Sequence, residues 1–350
     1  MEKSTMNNTK PKKLDLPKPV VSPTVQSQIS GKDNQGLMPS PDGFTKKIPP
    51  RFALREQRNR ALRDVSESRN AQIMNLIREI EKERSSSVII YFSRNLLNSN
   101  EVTNFYQLFS GNSKIKNLDL VLQSNGGIAD DAFKMARLCR QHTEGKFSVL
   151  VPYKAKSAAT LLALGADELV MGPSSEIGPV DPMIYVRMQD GNNYLVPAHS
   201  IKDGLDFFES RIKIQPETAA IYSQLMENLD VTVVGAYQRA IESSKQYAST
   251  LLQVGLLKDN QDKVEEVAKA LGEKYKSHAF VIDRDTAKEE YGLNVLDAPE
   301  PLWEKMWYLY NLLDVWLEED PNLGTIIKTS NSEVFISYAP MEGPKTNEKK

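Results

Sequence analysis

A serine that opens a helix and two glycines that close a strand are the residues of this chain best suited to chemistry. Ser157 stands between a β-rich run, FSVLVP (147–152), and a helix of small and aliphatic residues, AATLLAL. A hydroxyl there can cap the helix by accepting from an orphan N–H of the first turn. It can also attack an electrophile, provided a base takes its proton. For an isolated serine the cap is the commoner role. The stretch LDLVLQSNGGIADDAFKMARLC (118–139) favours the nucleophile, because a buried strand runs through Asn125-Gly126-Gly127 straight into another helix. Successive glycines at such a turn let backbone N–H groups point into open space. Beside a nucleophile those donors make an oxyanion hole.

The elements that must position these residues are legible in the hydrophobic rhythm. SVIIYF (87–92), LDLVLQ (118–123), FSVLVP (147–152) and DELVMG (167–172) are short apolar runs. Helical stretches at roughly 101–110 and 128–142 separate the first three, and the helix after Ser157 precedes the fourth. Continuous apolar strands alternating with helices imply a parallel sheet covered on both faces. Ligands of such sheets sit at the carboxyl ends of the strands, which is where Gly126, Gly127 and Ser157 all fall.

Around that core the chain changes character. Residues 1 to about 50 are rich in Pro, Ser, Lys, Asn and Gln, with Phe44 as the sole aromatic, and read as a disordered tail. A charged helix with a broken apolar stripe follows to Arg84. Beyond Pro182 the pattern predicts a hairpin around Asp190-Gly191, a short helix over 200–211, and a long helix from Pro216 to about Leu257 with a break near Asp230. A further helix covers 263–274. HAFVIDRDTAKEEYGLNVLD (278–297) reads as a strand or turn, then a helix capped by Asp283 or Asp285 and stopped at Gly292. A helix apolar nearly all round begins at PLWEKMW and must be buried, and 326–339 reads as a hairpin. The expected organisation is a tail (1–50), an N-terminal helix (51–85), an α/β domain (86–300), and a helix-and-hairpin extension (301–340).

Composition narrows the functions. With 350 residues the chain is long enough for a sizeable core. A net charge of −2 gives no reason to expect nucleic acid as a partner. The single cysteine, Cys139, cannot form an internal disulfide and fits a packed position in a reducing compartment. No apolar run is long enough to span a bilayer and no apolar leader follows the basic N-terminus, so the expected location is the cytoplasm. His and Cys are too few and too scattered for metal-ligand spacing, the nucleotide-loop patterns are absent, and no cofactor is expected.

The run strand-Asn-Gly-Gly-helix, then strand, then Ser-Ala-Ala-Thr with Ala-Asp-Glu-Leu-Val-Met and Gly-Pro-Val-Asp-Pro, resembles the serine dehydrogenase proteinase family. That family is similar to Clp protease subunits and signal peptide peptidase A. The resemblance covers roughly 87–297 and implies a crotonase/Clp-protease-like α/β core of parallel strands with covering helices. It also implies a serine peptidase of peptide or protein substrates, assembled as a homo-oligomer. On it, Ser157 is the nucleophile and Gly126, Gly127 and Ala158 supply the oxyanion hole.

The base is left open by the residues. The Clp-type position after the nucleophile helix is occupied by SSEIGPVDPM, which lacks a histidine. The resemblance implies a Ser/Lys dyad, yet Arg239 stands where the lysine is expected, and Arg stays protonated. Lys245 on the same helix is taken as the base, with Lys202, His199 and His278 as alternatives; His142 ends a helix and has no such role. Asp181 orients a base or holds its loop. Two other readings stand beside the peptidase: a degenerate, oligomeric peptide-binding scaffold, supported by Arg239, and an acyl-CoA enzyme using the same glycine donors. The third is weakest, because no pair of glutamates lies near Ser157.

Overall fold

The computed structural model describes residues 69–109, 114–187, 191–227, 231–275 and 277–337. The expected tail, and residues 51–68 of the expected first helix, lie outside them. In chain order the elements are α1 (69–84), β1 (Ser87–Ser93), α2 (Ser99–Gln107), β2 (Leu118–Gln123), α3 (Ala129–His142), β3 (Phe147–Val151), β4 (Lys154–Ala155), α4 (Ala158–Leu164), β5 (Glu168–Met171) and β6 (Glu176–Ile177). Then come β7 (Met183–Arg187), β8 (Asn193–Pro197), α5 (Ala198–Ile214), α6 (Ala219–Met226), α7 (Val231–Val254), α8 (Val264–Glu273), β9 (Ile282–Asp283), β10 (Val295–Asp297), α9 (Glu300–Glu319), β11 (Leu323–Lys328) and β12 (Glu333–Ser337).

The seven-stranded sheet runs β10-β5-β3-β2-β1-β11-β12. Its first five strands are parallel, as the continuous apolar runs require. Alternate residues of each strand serve opposite cores. Ile89, Leu120, Val149 and Leu169 pack beneath α2, α3, α4, α7 and α8. Ile90, Val121, Leu150 and Val170 pack against α1 and α9. Burial on both faces is why these strands are not amphipathic. At Gly172 a Cβ would come within 2.0 Å of the Trp303 ring, so the close seat of α9 on β5 needs a residue without one.

The C-terminal hairpin is part of this sheet: β11 pairs antiparallel with β1, Ile90 opposite Lys328, and β12 forms the edge. The amino ends of the parallel strands carry a polar network. Arg84 donates to Asp119 at 3.2 Å and to Glu168 at 3.0 Å, and Lys146 also pairs with Glu168. This explains why acids sit inside apolar strands, and it leaves the carboxyl ends for other work. Asp283 accepts from the Thr286 N–H at 2.8 Å, as its capping position predicts, although the turn it opens, 286–290, is a single π-helical one. Cys139 is fully buried and burial pushes its thiol pKa up, so it is a packed side chain. Among the described residues no helix is long and apolar enough to cross a membrane, and no His, Cys, Asp and Glu cluster could hold a metal.

Candidate active site

Three short strands gather the site. β4, β6 and β9 form a small separate sheet. Ser157 lies two residues beyond β4, Asp181 four beyond β6, and His278 four before β9. The sheet therefore brings together groups that the sequence scatters over some 120 residues. The hairpin of β7 and β8 adds one more. Its register sets Met183 opposite Pro197, and the Ala198 N–H donates to the Pro182 carbonyl at 2.8 Å. That closure returns the chain to its starting point and places His199 beside Asp181.

Ser157 holds the N-cap position of α4 without capping it through its side chain. Its φ of 52° and ψ of −118° lie outside the conformations L residues favour, and its side chain makes no capping bond. The hydroxyl instead donates to the main-chain carbonyl of Asp181 at 3.3 Å. Such a conformation costs free energy and persists only where its surroundings hold it. Gly126 lies directly against it: a Cβ there would fall 2.6 Å from the Lys156 carbonyl and 2.8 Å from the Ser157 Cβ, and φ is +97°. At Gly127 a Cβ would meet the Leu97 backbone at 2.3 Å.

The two glycines differ as donors. The Gly126 N–H is taken by the Ser124 hydroxyl at 3.0 Å. Among the described residues no acceptor meets the N–H of Gly127, nor that of Ala158, which as the first residue of α4 has no carbonyl a turn back.

Asp181 is the hub. Its carboxylate meets His199 Nδ1 at 2.7 Å and His278 Nδ1 at 3.4 Å. Burial would raise its pKa, but the bonds from the two histidines outweigh that and hold it below the usual carboxylate value. His199 Nε2 is buried and without a partner. The lysines fare differently. Lys202 pairs with Asp206 one turn on at the surface; that hydrogen bond outweighs a small desolvation and raises its pKa, the reverse of what a base needs. Lys245 lies 3.5 Å from Glu265, with two fifths of its side chain exposed, although it lines the same small chamber as His199. Arg239 is exposed on α7. His142 stacks on Phe109 with ring centres 4.5 Å apart, away from this cluster.

Lys156 is a site neighbour that sequence reading passes over. Its ammonium donates to the carbonyls of Ile177 at 3.2 Å and Phe280 at 3.0 Å and pairs with Glu176 at 3.0 Å. Desolvation lowers its pKa against the opposing pull of Glu176. With acceptors on the flanks of both β6 and β9, it fastens the serine segment to the segments bearing Asp181 and His278. The only signal for it in the sequence is its place one residue before Ser157.

The chain matches known proteins over most of its length. A family model described as ClpP-like SDH-type serine proteinase matches residues 47–315. An uncharacterised protein of Methanocaldococcus jannaschii is 26% identical over 270 residues, 77% of this chain and 82% of that one. A second from the same organism is 25% identical over 249 residues, 71% of this chain and 75% of the relative. Among solved structures, a mutant of the 1510-N membrane-bound stomatin-specific protease in complex with a substrate peptide aligns over 60% of this chain and 75% of its own, at 16% identity and a TM-score of 0.34. ClpP1 from Listeria monocytogenes aligns over 63% and 98%, at 11% identity and a TM-score of 0.35.

Proposed function

The chain belongs to the ClpP-like SDH-type serine proteinases, and from that membership we propose a peptidase in which Ser157 attacks, His199 takes its proton and Asp181 holds His199. The observation that carries this reading is the double engagement of Asp181, whose carbonyl accepts from Ser157 and whose carboxylate holds His199. An imidazole with Nδ1 on a carboxylate keeps Nε2 for the nucleophile. This assigns the base to His199 in place of Lys245, whose ammonium lies 3.5 Å from Glu265 on a side chain two fifths exposed.

The steps follow from the donors available. Ser157 Oγ leaves the Asp181 carbonyl and bonds to the substrate carbonyl carbon while its proton passes to His199 Nε2. The oxyanion is met by the N–H groups of Gly127 and Ala158; Gly126 contributes the space a side chain would fill. His199 then protonates the departing amine as the C–N bond breaks. A water, deprotonated by His199, releases the acyl group and restores Ser157. Self-association belongs to the same reading, since Ile214, Ile221 and Leu225 on the arm formed by α5 and α6 are more than half exposed; light scattering of the purified chain checks it.

Labelling with a fluorophosphonate probe tests the assignment. Wild type is expected to label, Ser157→Ala not at all, and His199→Ala about a hundredfold more slowly or worse, whereas Lys245→Ala stays near wild type. Loss with Lys245→Ala and retention with His199→Ala would restore the lysine dyad. A folded wild type that never labels would leave the peptide-binding scaffold as the better account.

A further inference from the structure

Two buried polar atoms without partners belong to residues that line one chamber. Ser244, on α7, is 3% exposed and its hydroxyl meets no donor or acceptor; His199 Nε2 is likewise buried and unpaired. Both residues line a chamber of about 10 Å³, the space that the centre of a single water needs. Its remaining walls are largely apolar, with Val180 and Pro182 from the two sides of Asp181, Ala248 from α7 and Ala268 from α8. A buried hydroxyl and a buried imidazole nitrogen are each costly if left unpaired. Two such atoms on one small chamber meet that cost together by sharing a water.

We propose that Ser244 is a positioning residue for His199, joined to its Nε2 by one buried water. The proposal rests on His199 being the base. Asp181 fixes one nitrogen of the ring; the water fixes the other, and the imidazole is then held at both ends in the tautomer that carries its proton on Nδ1. The charged groups around the ring are Asp181 and His278 on one side, Lys245 from α7, and Lys269 and Glu273 from α8 on the chamber wall. Among the described residues Asp181 is the one of these that bonds to the ring, so loss of the Ser244 hydroxyl leaves the proposed water as the sole polar neighbour of Nε2.

The test compares Ser244→Thr with Ser244→Val, two side chains of one shape that differ in the hydroxyl, and adds Ser244→Ala. The His199 imidazole is followed by nitrogen NMR across pH, in a background with His142→Gln and His278→Gln so that a single ring reports. In Ser244→Val the titration midpoint is expected to fall by about one unit, because a buried Nε2–H with no acceptor disfavours the imidazolium. Probe labelling of Ser157 in the same variants, in the wild-type histidine background, should slow about tenfold with Val and remain within about twofold with Thr. Equal midpoints in Thr and Val would overturn the proposal even if wild type labels normally. A midpoint that moves in a protein that never labels would uphold the Ser244–His199 link and overturn the peptidase reading instead.

Discussion

Ser157 occupies a backbone conformation that costs on the order of 1–3 kcal/mol, and the groups around it explain how it is kept there. Lys156 is bonded to three acceptors on its amino side, and the first turn of α4 fixes its carboxyl side. Lys156→Met leaves Glu176 without its buried partner and should destabilise the fold by about 3 kcal/mol in a denaturant titration, with labelling of Ser157 lost along with its pose. Asp181→Asn tests the hub. An amide keeps the shape but no longer favours an imidazolium, so labelling should fall at least a hundredfold while the fold persists. Stability carries the same signature. The Asp181 pKa lies below its unfolded value, so its contribution is full above the unfolded carboxylate value near 4. It is lost as pH falls through the folded one. Chemical denaturation between pH 6 and 3 should show that acid loss in wild type and less of it in Asp181→Asn.

At the scale of elements the hairpin of β7 and β8 decides whether the site exists, because His199 reaches Asp181 only through its closure. Replacing 185–195 with a short glycine linker should leave the far-ultraviolet circular dichroism nearly unchanged and abolish labelling. The glycine turn is the second test. Gly126→Ala forces a Cβ to within 2.6 Å of the Lys156 carbonyl and should abolish labelling at a modest cost in melting temperature. These elements also mark where sequence reading stops. The parallel strands, α3, α4 and the two glycines are legible because burial on both faces and a glycine turn leave local patterns. Ser157 is legible as a position but not as a conformation, since a cap and a strained nucleophile share one residue type. The Asp181–His199 contact leaves no such pattern: it depends on the register of a hairpin whose tip separates the two residues. Lys156 reads as an ordinary surface lysine, because its burial is created by β6 and the 278–283 segment far along the chain.

For the whole molecule, the sheet divides its polar work between its two ends. The amino ends hold the Arg84, Asp119, Glu168 and Lys146 network, and the carboxyl ends hold the site. The helices on either face seal the strands between them. Each face should therefore fail independently. Leu309→Ala on α9 removes apolar volume from the face opposite α4 and should cost about 2–5 kcal/mol while the labelling rate of the folded fraction stays at the wild-type level. Leu162→Ala on α4 should cost as much and slow labelling too, since it loosens the helix that begins at Ser157.

β1 lies between β2, made soon after it, and β11, made roughly 240 residues later. During synthesis at about 5–20 residues per second, one side of β1 has no native partner for some 12–50 seconds. Through that interval a flat, apolar strand presents unpaired N–H and C=O groups, the form of edge that recruits other chains. The hairpin of β11 and β12 thus acts as a closing seam. A ribosome that stalls or a chain that ends before Leu323 leaves Ser157, Asp181 and the histidines in place and the sheet open. Such truncated chains should appear in the aggregated fraction of cells rather than as shortened chains in the supernatant.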